Sequence, residues 1–240
     1  MKKLWDKGYD LNQQIESFTV GNDPDLDLVL IPYDCRASIA HTKMLGKIGV
    51  LDAGEVEQLV YSLERIIALH AKGAFTISRE QEDGHTAIET YLTQQLGAMG
   101  KKIHTARSRN DQVLTALRLY YKDQIDEIAA GVEALVVNLT EFITRYGAIA
   151  LPGYTHTRKA MPSSLTMWAG AFVDSMRDNL QLLETTRSLL DQSPLGTAAG
   201  YGVPMPIDRA YVADLLGFAR VQQNPIYAQL SRGKFESTIL

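Results

Sequence analysis

Residues 104–113, HTARSRNDQV, set Arg107, Ser108, Arg109, Asn110, Asp111 and Gln112 side by side, just ahead of a long apolar-periodic stretch. Capping a helix N-terminus needs one oxygen acceptor, and this segment offers far more hydrogen-bonding capacity than that. Backbone N–H groups at a helix N-terminus, reinforced by Arg, Ser and Asn side chains, suit the binding of carboxylates. The plainer reading is a basic loop with Asn110 or Asp111 as N-cap. A second polar segment, LPGYTHTRKAMPSS at 151–164, places the Thr155 hydroxyl beside His156, with Arg158 and Lys159 following. Histidine titrates near neutrality, so in a loop between helices His156 is a candidate acid or base, against the commoner role of a surface residue. A third, EDGHTAIETYL at 82–92, puts His85 ahead of a helix, where capping or solvent exposure is the simplest role. The glycine-rich SPLGTAAGYGVPMP at 193–206 lacks the Gly-Lys-Ser/Thr of a phosphate loop and the strand before it. It reads as a turn that lets a long helix fold back. No Cys/His spacing suggests zinc.

The elements that must position these segments are mostly helices. Residues 1–36 read as irregular, with Gly21-Asn22-Asp23-Pro24 as a clear break, and 37–47 as a short helix closed near Gly49. Asp52-Ala53-Gly54-Glu55 has the form of a capping box. It opens a helix with Val56, Leu59, Val60, Leu63, Ile66, Ile67 and His70 at three-to-four spacing, ending at Gly73. Another helix is expected over about 86–99. From 110 to 146 apolar residues step by three or four without a proline, and Gly131 is the only weak point. One helix over that span is about 55 Å long. A second long stretch covers 163–192, with Pro162 near its first turn and Ser163 or Ser164 as its cap. Two such rods joined by a compact loop imply a helix bundle. The best strand candidate, 74–78, is weak, and the fold class is all-α: an N-terminal helical domain followed by long helices of a central multi-subunit helix bundle.

Of the 240 residues 45% are hydrophobic and 22% charged, with a net charge of −4, an ordinary globular profile. The mild acidity argues against nucleic acid as a partner. The single cysteine, Cys35, excludes an internal disulfide, reads as a small buried residue, and fits a reducing compartment. Met1-Lys2-Lys3-Leu4 has no apolar core behind its lysines, so it does not read as a signal peptide. No run approaches the roughly 18 apolar residues of a membrane span, and the cytoplasm is the expected location. Residues 226–240 finish on apolar side chains without a polar tail, so the chain reads as the front part of a longer protein.

Together these segments resemble the argininosuccinate lyases of the aspartase/fumarase superfamily. HTARSRNDQV matches that family's first signature region throughout, and PGYTH the start of its second. ASIAH, EDGHTAIE, PLGTAAGYGVPMPIDR and ADLLGF follow in the family's order. Two departures stand out. Thr157-Arg158-Lys159-Ala160-Met161 replaces the usual Leu-Gln-Arg-Ala-Gln. The early substrate-contacting serine has no counterpart in Thr19-Val20-Gly21-Asn22, Ser38 being a later serine of another segment. The resemblance implies β-elimination of argininosuccinate to arginine and fumarate, with no metal or organic cofactor. Ser108, Arg109 and Asn110 would bind the substrate, Thr155 a carboxylate, and His156 would be catalytic, with His85 in support. It implies a homotetramer whose active sites draw on several subunits, with residues 1–107 as the N-terminal domain and 108–240 as the first part of the bundle. The family's Gly-Ser-Ser-x-Met-Pro loop, which supplies its catalytic serine, does not occur in the sequence, so these 240 residues alone are expected to be inactive. Two other readings stand beside it: a sister lyase acting on another succinylated substrate, and a non-catalytic, crystallin-like relative.

Overall fold

The computed structural model describes residues 13–240, and the reading of the first residues lies outside that range. The chain forms two compact units. The first ends at Leu117 and takes in Ser193–Leu230; the second is Arg118–Gln192 with Ser231–Leu240.

The first unit begins with α1 (Gln13–Val20) and α2 (Asp23–Lys47). Here the expectation of irregular chain up to residue 36 fails over 13–36. Gly21, at φ +53, does break the chain. Yet Asp23-Pro24 opens a helix, because proline in the first turn gives up an N–H that has no helical partner anyway. The helix was hard to see because its buried face is polar. Asp34, Ser38, His41 and Thr42 are buried beside Ile31, Cys35, Met44 and Leu45, so no clean apolar stripe shows in the sequence. The C-terminal end falls as expected, with Gly49 at φ +75.

The capping box is present at α3 (Ala53–Ala71): Glu55 N–H donates to Asp52 Oδ1 at 2.9 Å, and Asp52 N–H to Glu55 Oε2 at 3.2 Å. Its Leu59, Leu63 and Ile66 are fully buried, and α3 packs against α2 and α4 (Gly84–Leu96). A 3₁₀ stretch, Gly97–His104, continues from α4. Residues 74–78 form no strand. Their alternation is real, since Phe75 and Ile77 are buried, but among the described residues it pairs with no neighbour.

The long rod is a continuous helix, α5 (Arg109–Tyr146), 38 residues long, which supplies 109–117 to the first unit and the rest to the second. The connection after it is not a simple loop. It is an antiparallel hairpin of β1 (Ala150–Thr155) and β2 (Arg158–Ser164), leading into α6 (Leu165–Leu190). Pro162 lies in β2 opposite Pro152 rather than in a helical first turn, and Ser164 is the cap, accepting from Met167 N–H at 3.1 Å. The turn out of α5 demands Gly147: a Cβ there would lie 2.3 Å from Thr166 Oγ1 and 2.5 Å from the Ile143 carbonyl oxygen. Short helices α7 (Arg209–Leu215), α8 (Pro225–Leu230) and α9 (Lys234–Ile239) complete the chain. The second unit's own core is small: Ile125, Leu190 and Phe235, flanked by Tyr121, Leu183 and Ile239. Elsewhere on the rods Ile128, Leu135, Val137, Trp168, Phe172 and Leu182 are exposed. Among the described residues no helix is long and apolar enough to cross a membrane.

One buried group of the first unit gives a pH prediction. The His41 ring donates from Nε2 to the Thr105 carbonyl at 2.9 Å, and burial, aided by the nearby Arg107 charge, holds its pKa down to about 3. An unfolded histidine protonates near 6.5, so below that pH the unfolded chain binds a proton that the folded chain refuses. Stability is therefore lost as pH falls from 6.5 towards about 3, by about 1.4 kcal/mol per pH unit once well below 6.5. His41→Gln, which keeps an N–H donor, is expected to flatten that slope. Denaturant midpoints of the full-length protein and its variant, compared at neutral and mildly acidic pH, test this; parallel curves would reject it.

Candidate active site

Ser108, not Asn110 or Asp111, caps α5. Its Oγ accepts from Asn110 N–H at 3.3 Å, its carbonyl from Gln112 N–H at 3.2 Å, and Asp111 Oδ1 accepts from Ser108 N–H at 3.0 Å. Asp111 is pulled inward for another purpose. Its Oδ2 accepts from Gly196 N–H at 2.9 Å and Ala198 N–H at 2.8 Å, and its side chain is fully buried. The glycine-rich loop is thus more than a turn: it wraps the Asp111 carboxylate. That wrap requires Gly196, at φ +89, where a Cβ would lie 2.8 Å from the Arg209 side chain.

Arg107 also turns inward, donating from Nη1 to Ser38 Oγ at 2.8 Å. Gln112 donates from Nε2 to both oxygens of Asp34, at 2.9 and 3.2 Å. Three of the six polar side chains in the motif therefore serve the protein's interior, which leaves Ser108, Arg109 and Asn110 at its rim. Arg109 pairs with Asp83 and donates from Nη2 to Thr86 Oγ1 at 2.7 Å. Asp83 is the N-cap of α4, accepting from Thr86 N–H at 2.8 Å.

His85 is neither a cap nor solvent-exposed, as its position had suggested. It lies inside the first turn of α4, its side chain 10% exposed, with Nδ1 bonded to Asp34 Oδ2. Burial alone would lower its pKa, but the Asp34 charge and hydrogen bond outweigh this and raise it. Burial likewise opposes ionisation of Asp34, yet His85, Arg107 and Gln112 bring that carboxyl down to about 2. The two directions agree on an ion pair. Asp34 had escaped notice, although its spacing to Ser38 and His41, four and seven residues on, places all three on one helical face.

Thr155 and His156 belong to the second unit, at the tip of the hairpin, both exposed. Thr155 pairs with Arg158, so His156 and Thr157 are the two central residues of the turn. Both have positive φ, +48 and +64, the pattern of a type I′ turn that favours Asn-Gly. Ser108, Arg109, Asn110 and His85 all lie in the first unit. Among the described residues no cluster of His, Cys, Asp or Glu is placed to hold a metal ion.

The family described as lyase matches residues 15–235. The chain belongs to the lyase family. It is 54% identical over 239 residues to the argininosuccinate lyase of Thermotoga neapolitana, an alignment covering all of this chain and 60% of that relative. It is 45% identical to the argininosuccinate lyase of Bacteroides thetaiotaomicron, over 99% of this chain and 53% of the relative. The chain thus spans little more than half the length of these lyases. Among solved structures, an EDDS lyase variant with bound fumarate superposes with a TM-score of 0.76 at 24% identity, over 92% of this chain and 44% of that one. The fumarate lyase:delta crystallin from Brucella melitensis, bound to cobalt, gives 0.77 at 16% identity, over 96% and 57%. These two likenesses establish the helical lyase fold, in agreement with the all-α expectation.

Proposed function

We propose that the full-length protein is an argininosuccinate lyase that cleaves argininosuccinate to arginine and fumarate by β-elimination, in the service of arginine biosynthesis. What carries the reading is the rim of α5: a serine-capped helix N-terminus bearing Ser108, Arg109 and Asn110, in a chain 54% identical to an argininosuccinate lyase. The chemistry calls for such a rim. Removing the proton next to a carboxylate puts a second negative charge on that group, and fixed donors stabilise it in the transition state. The electron pair left on carbon then forms the double bond of fumarate as the carbon–nitrogen bond breaks and arginine leaves with a proton. Ser108, Arg109 and Asn110 bind substrate carboxylates, Thr155 holds another, His156 takes part in proton transfer, and His85 supports them. The reading needs no metal or organic cofactor.

In this reading residues 1–107 belong to the N-terminal domain and 108–240 begin the central bundle, apart from Ser193–Leu230, which group with the first unit. The bare apolar residues along α5 and α6 support a homotetramer, since faces of that length are normally covered. The location that goes with this role is the cytoplasm. Fumarate release from argininosuccinate by the full-length protein, followed by ultraviolet absorbance, tests the reaction. Release only from another succinylated amine would favour a sister lyase, and release from none a crystallin-like relative.

Asn110→Leu separates binding from capping. Because Ser108 holds the cap, the variant is expected to lose less stability than the roughly 1 kcal/mol of a removed cap, while kcat/KM falls by about a hundredfold. A less stable but fully active variant would return Asn110 to a structural role.

A further inference from the structure

We propose that Asp34 is a positioning residue of the lyase site, fixing the orientation of the His85 ring and holding a hydrogen on its Nδ1. The inference rests on the proposed lyase function and extends it to a residue outside every motif rim. Asp34 comes from α2, His85 from α4 and Gln112 from α5, so three helices converge on one carboxylate. Every bond it accepts is accounted for: Oδ1 from Ser38 Oγ at 3.3 Å and Gln112 Nε2 at 2.9 Å, Oδ2 from Gln112 at 3.2 Å and from His85 Nδ1. The Gln112 amide is turned wholly towards the carboxylate, at the expense of its own Oε1, which is buried and, among the described residues, accepts nothing.

A buried ion pair is a poor device for stability alone. Apolar residues of the same volume usually do as well or better, because two charges must be stripped of water. What such a pair does supply is direction. A carboxylate on one ring nitrogen keeps a hydrogen there whether the ring is charged or neutral, and leaves the other nitrogen, across the ring, as the one that can give up or take a proton. The pair also borders a small cavity, lined by Asp27, Ile31, Gly84 and Val113 as well, instead of being sealed in packing. Arg107, held on Ser38, and Asp83 and Asp27 near His85 complete the charged surroundings. Their summed effect keeps His85 above the ordinary histidine range, as the bond to Asp34 requires.

The test is a double-mutant cycle in the full-length protein, with His85→Gln as the second change. Asp34→Asn is expected to lower kcat by about tenfold to a hundredfold, with KM little moved, read at a temperature where the variant is folded, since the new NH₂ faces donors at a buried site and stability falls as well. In the His85→Gln background the same change is expected to alter kcat by less than about twofold, since a residue that acts through His85 has nothing left to act on. Additive losses, or an Asp34→Asn enzyme at wild-type kcat, would overturn the proposal. A second measurement stands independently of activity: imidazole ¹⁵N shifts of His85 in the wild-type protein should show Nδ1 protonated on both sides of neutrality. A ring protonated on Nε2 alone would overturn the proposal even if Asp34→Asn failed to fold. Absence of lyase activity in the wild type, with that shift pattern present, would instead count against the proposed reaction and leave the positioning intact.

Discussion

Replacing His156 with asparagine in the full-length protein is expected to lower kcat by about 10²–10⁴-fold, the usual contribution of a positioned acid or base, with no loss of melting temperature. The two halves of that expectation have separate grounds. The loss of activity follows from removing the imidazole that the proposed reaction uses for proton transfer. The preserved stability follows from the backbone. His156 holds φ +48 and Thr157 φ +64 in a two-residue turn, where non-glycine residues each cost about 1–3 kcal/mol and asparagine is among the most tolerant. Asparagine therefore suits the turn at least as well as histidine. The hydrogen bond from Thr157 Oγ1 goes to the backbone carbonyl of residue 156 and survives the change. At an exposed tip the imidazole has little packing to lose. Fumarate release and thermal melting on the same preparation decide the matter. Activity within a few-fold of wild type would make His156 a bystander of the hairpin.

How much of this could be read from the sequence depended on which face each residue presents. The ends of α3 were legible because capping chemistry and apolar periodicity agree there, Asp52 with Glu55, while the extent of α5 was legible from the periodicity of Val113, Leu117 and Ile125 alone and its cap was misplaced. The start of α2 was not, because Asp34, Ser38 and His41 occupy the positions where a core helix normally shows leucine or isoleucine. The hairpin was invisible for the opposite reason. Its strands are largely exposed, so no alternation marks them, and Pro152, Gly153 and Pro162 argue against strands on propensity. Register there is shifted between Pro152 and Tyr154, and a Cβ at Gly153 would lie 2.7 Å from the Met161 carbonyl oxygen. The density of polar side chains at 107–112 was plain in the sequence, but its division of labour was not legible. Whether Arg107, Asp111 and Gln112 point in or out depends on partners 69, 85 and 78 residues away in sequence.

That inward half of the motif makes the second large prediction. Asp111→Asn is expected to destabilise the full-length protein by about 2 kcal/mol, and Asp111→Leu by on the order of 4 kcal/mol. The carboxylate receives donors on both oxygens, Ser108 N–H on one and the Gly196 and Ala198 N–H groups on the other. An asparagine has one acceptor oxygen and an NH₂ that can only donate, so in either orientation at least one backbone donor faces another donor. Leucine leaves all three without an acceptor. One effect works the other way. Burial pushes the Asp111 carboxyl above its ordinary range, against the pull of those three amides, so burying the charge has a cost that a neutral amide escapes. If that cost dominated, asparagine would match or exceed the wild type; if hydrogen bonding dominates, stability falls in the order Asp, Asn, Leu. Three amides converging at 2.8–3.0 Å on a fully buried group favour the second outcome. Activity should fall with stability in these variants even below their melting temperatures, because the Ser108 amide that Asp111 fixes also sets the cap from which Ser108 and Asn110 reach the substrate. Denaturant midpoints for the two variants, read beside kcat/KM at a temperature where each is folded, separate the cases. An Asp111→Asn protein within about 0.5 kcal/mol of wild type would mean that the carboxylate does not hold the loop, and the cap geometry would then have to be maintained by Ser108 alone.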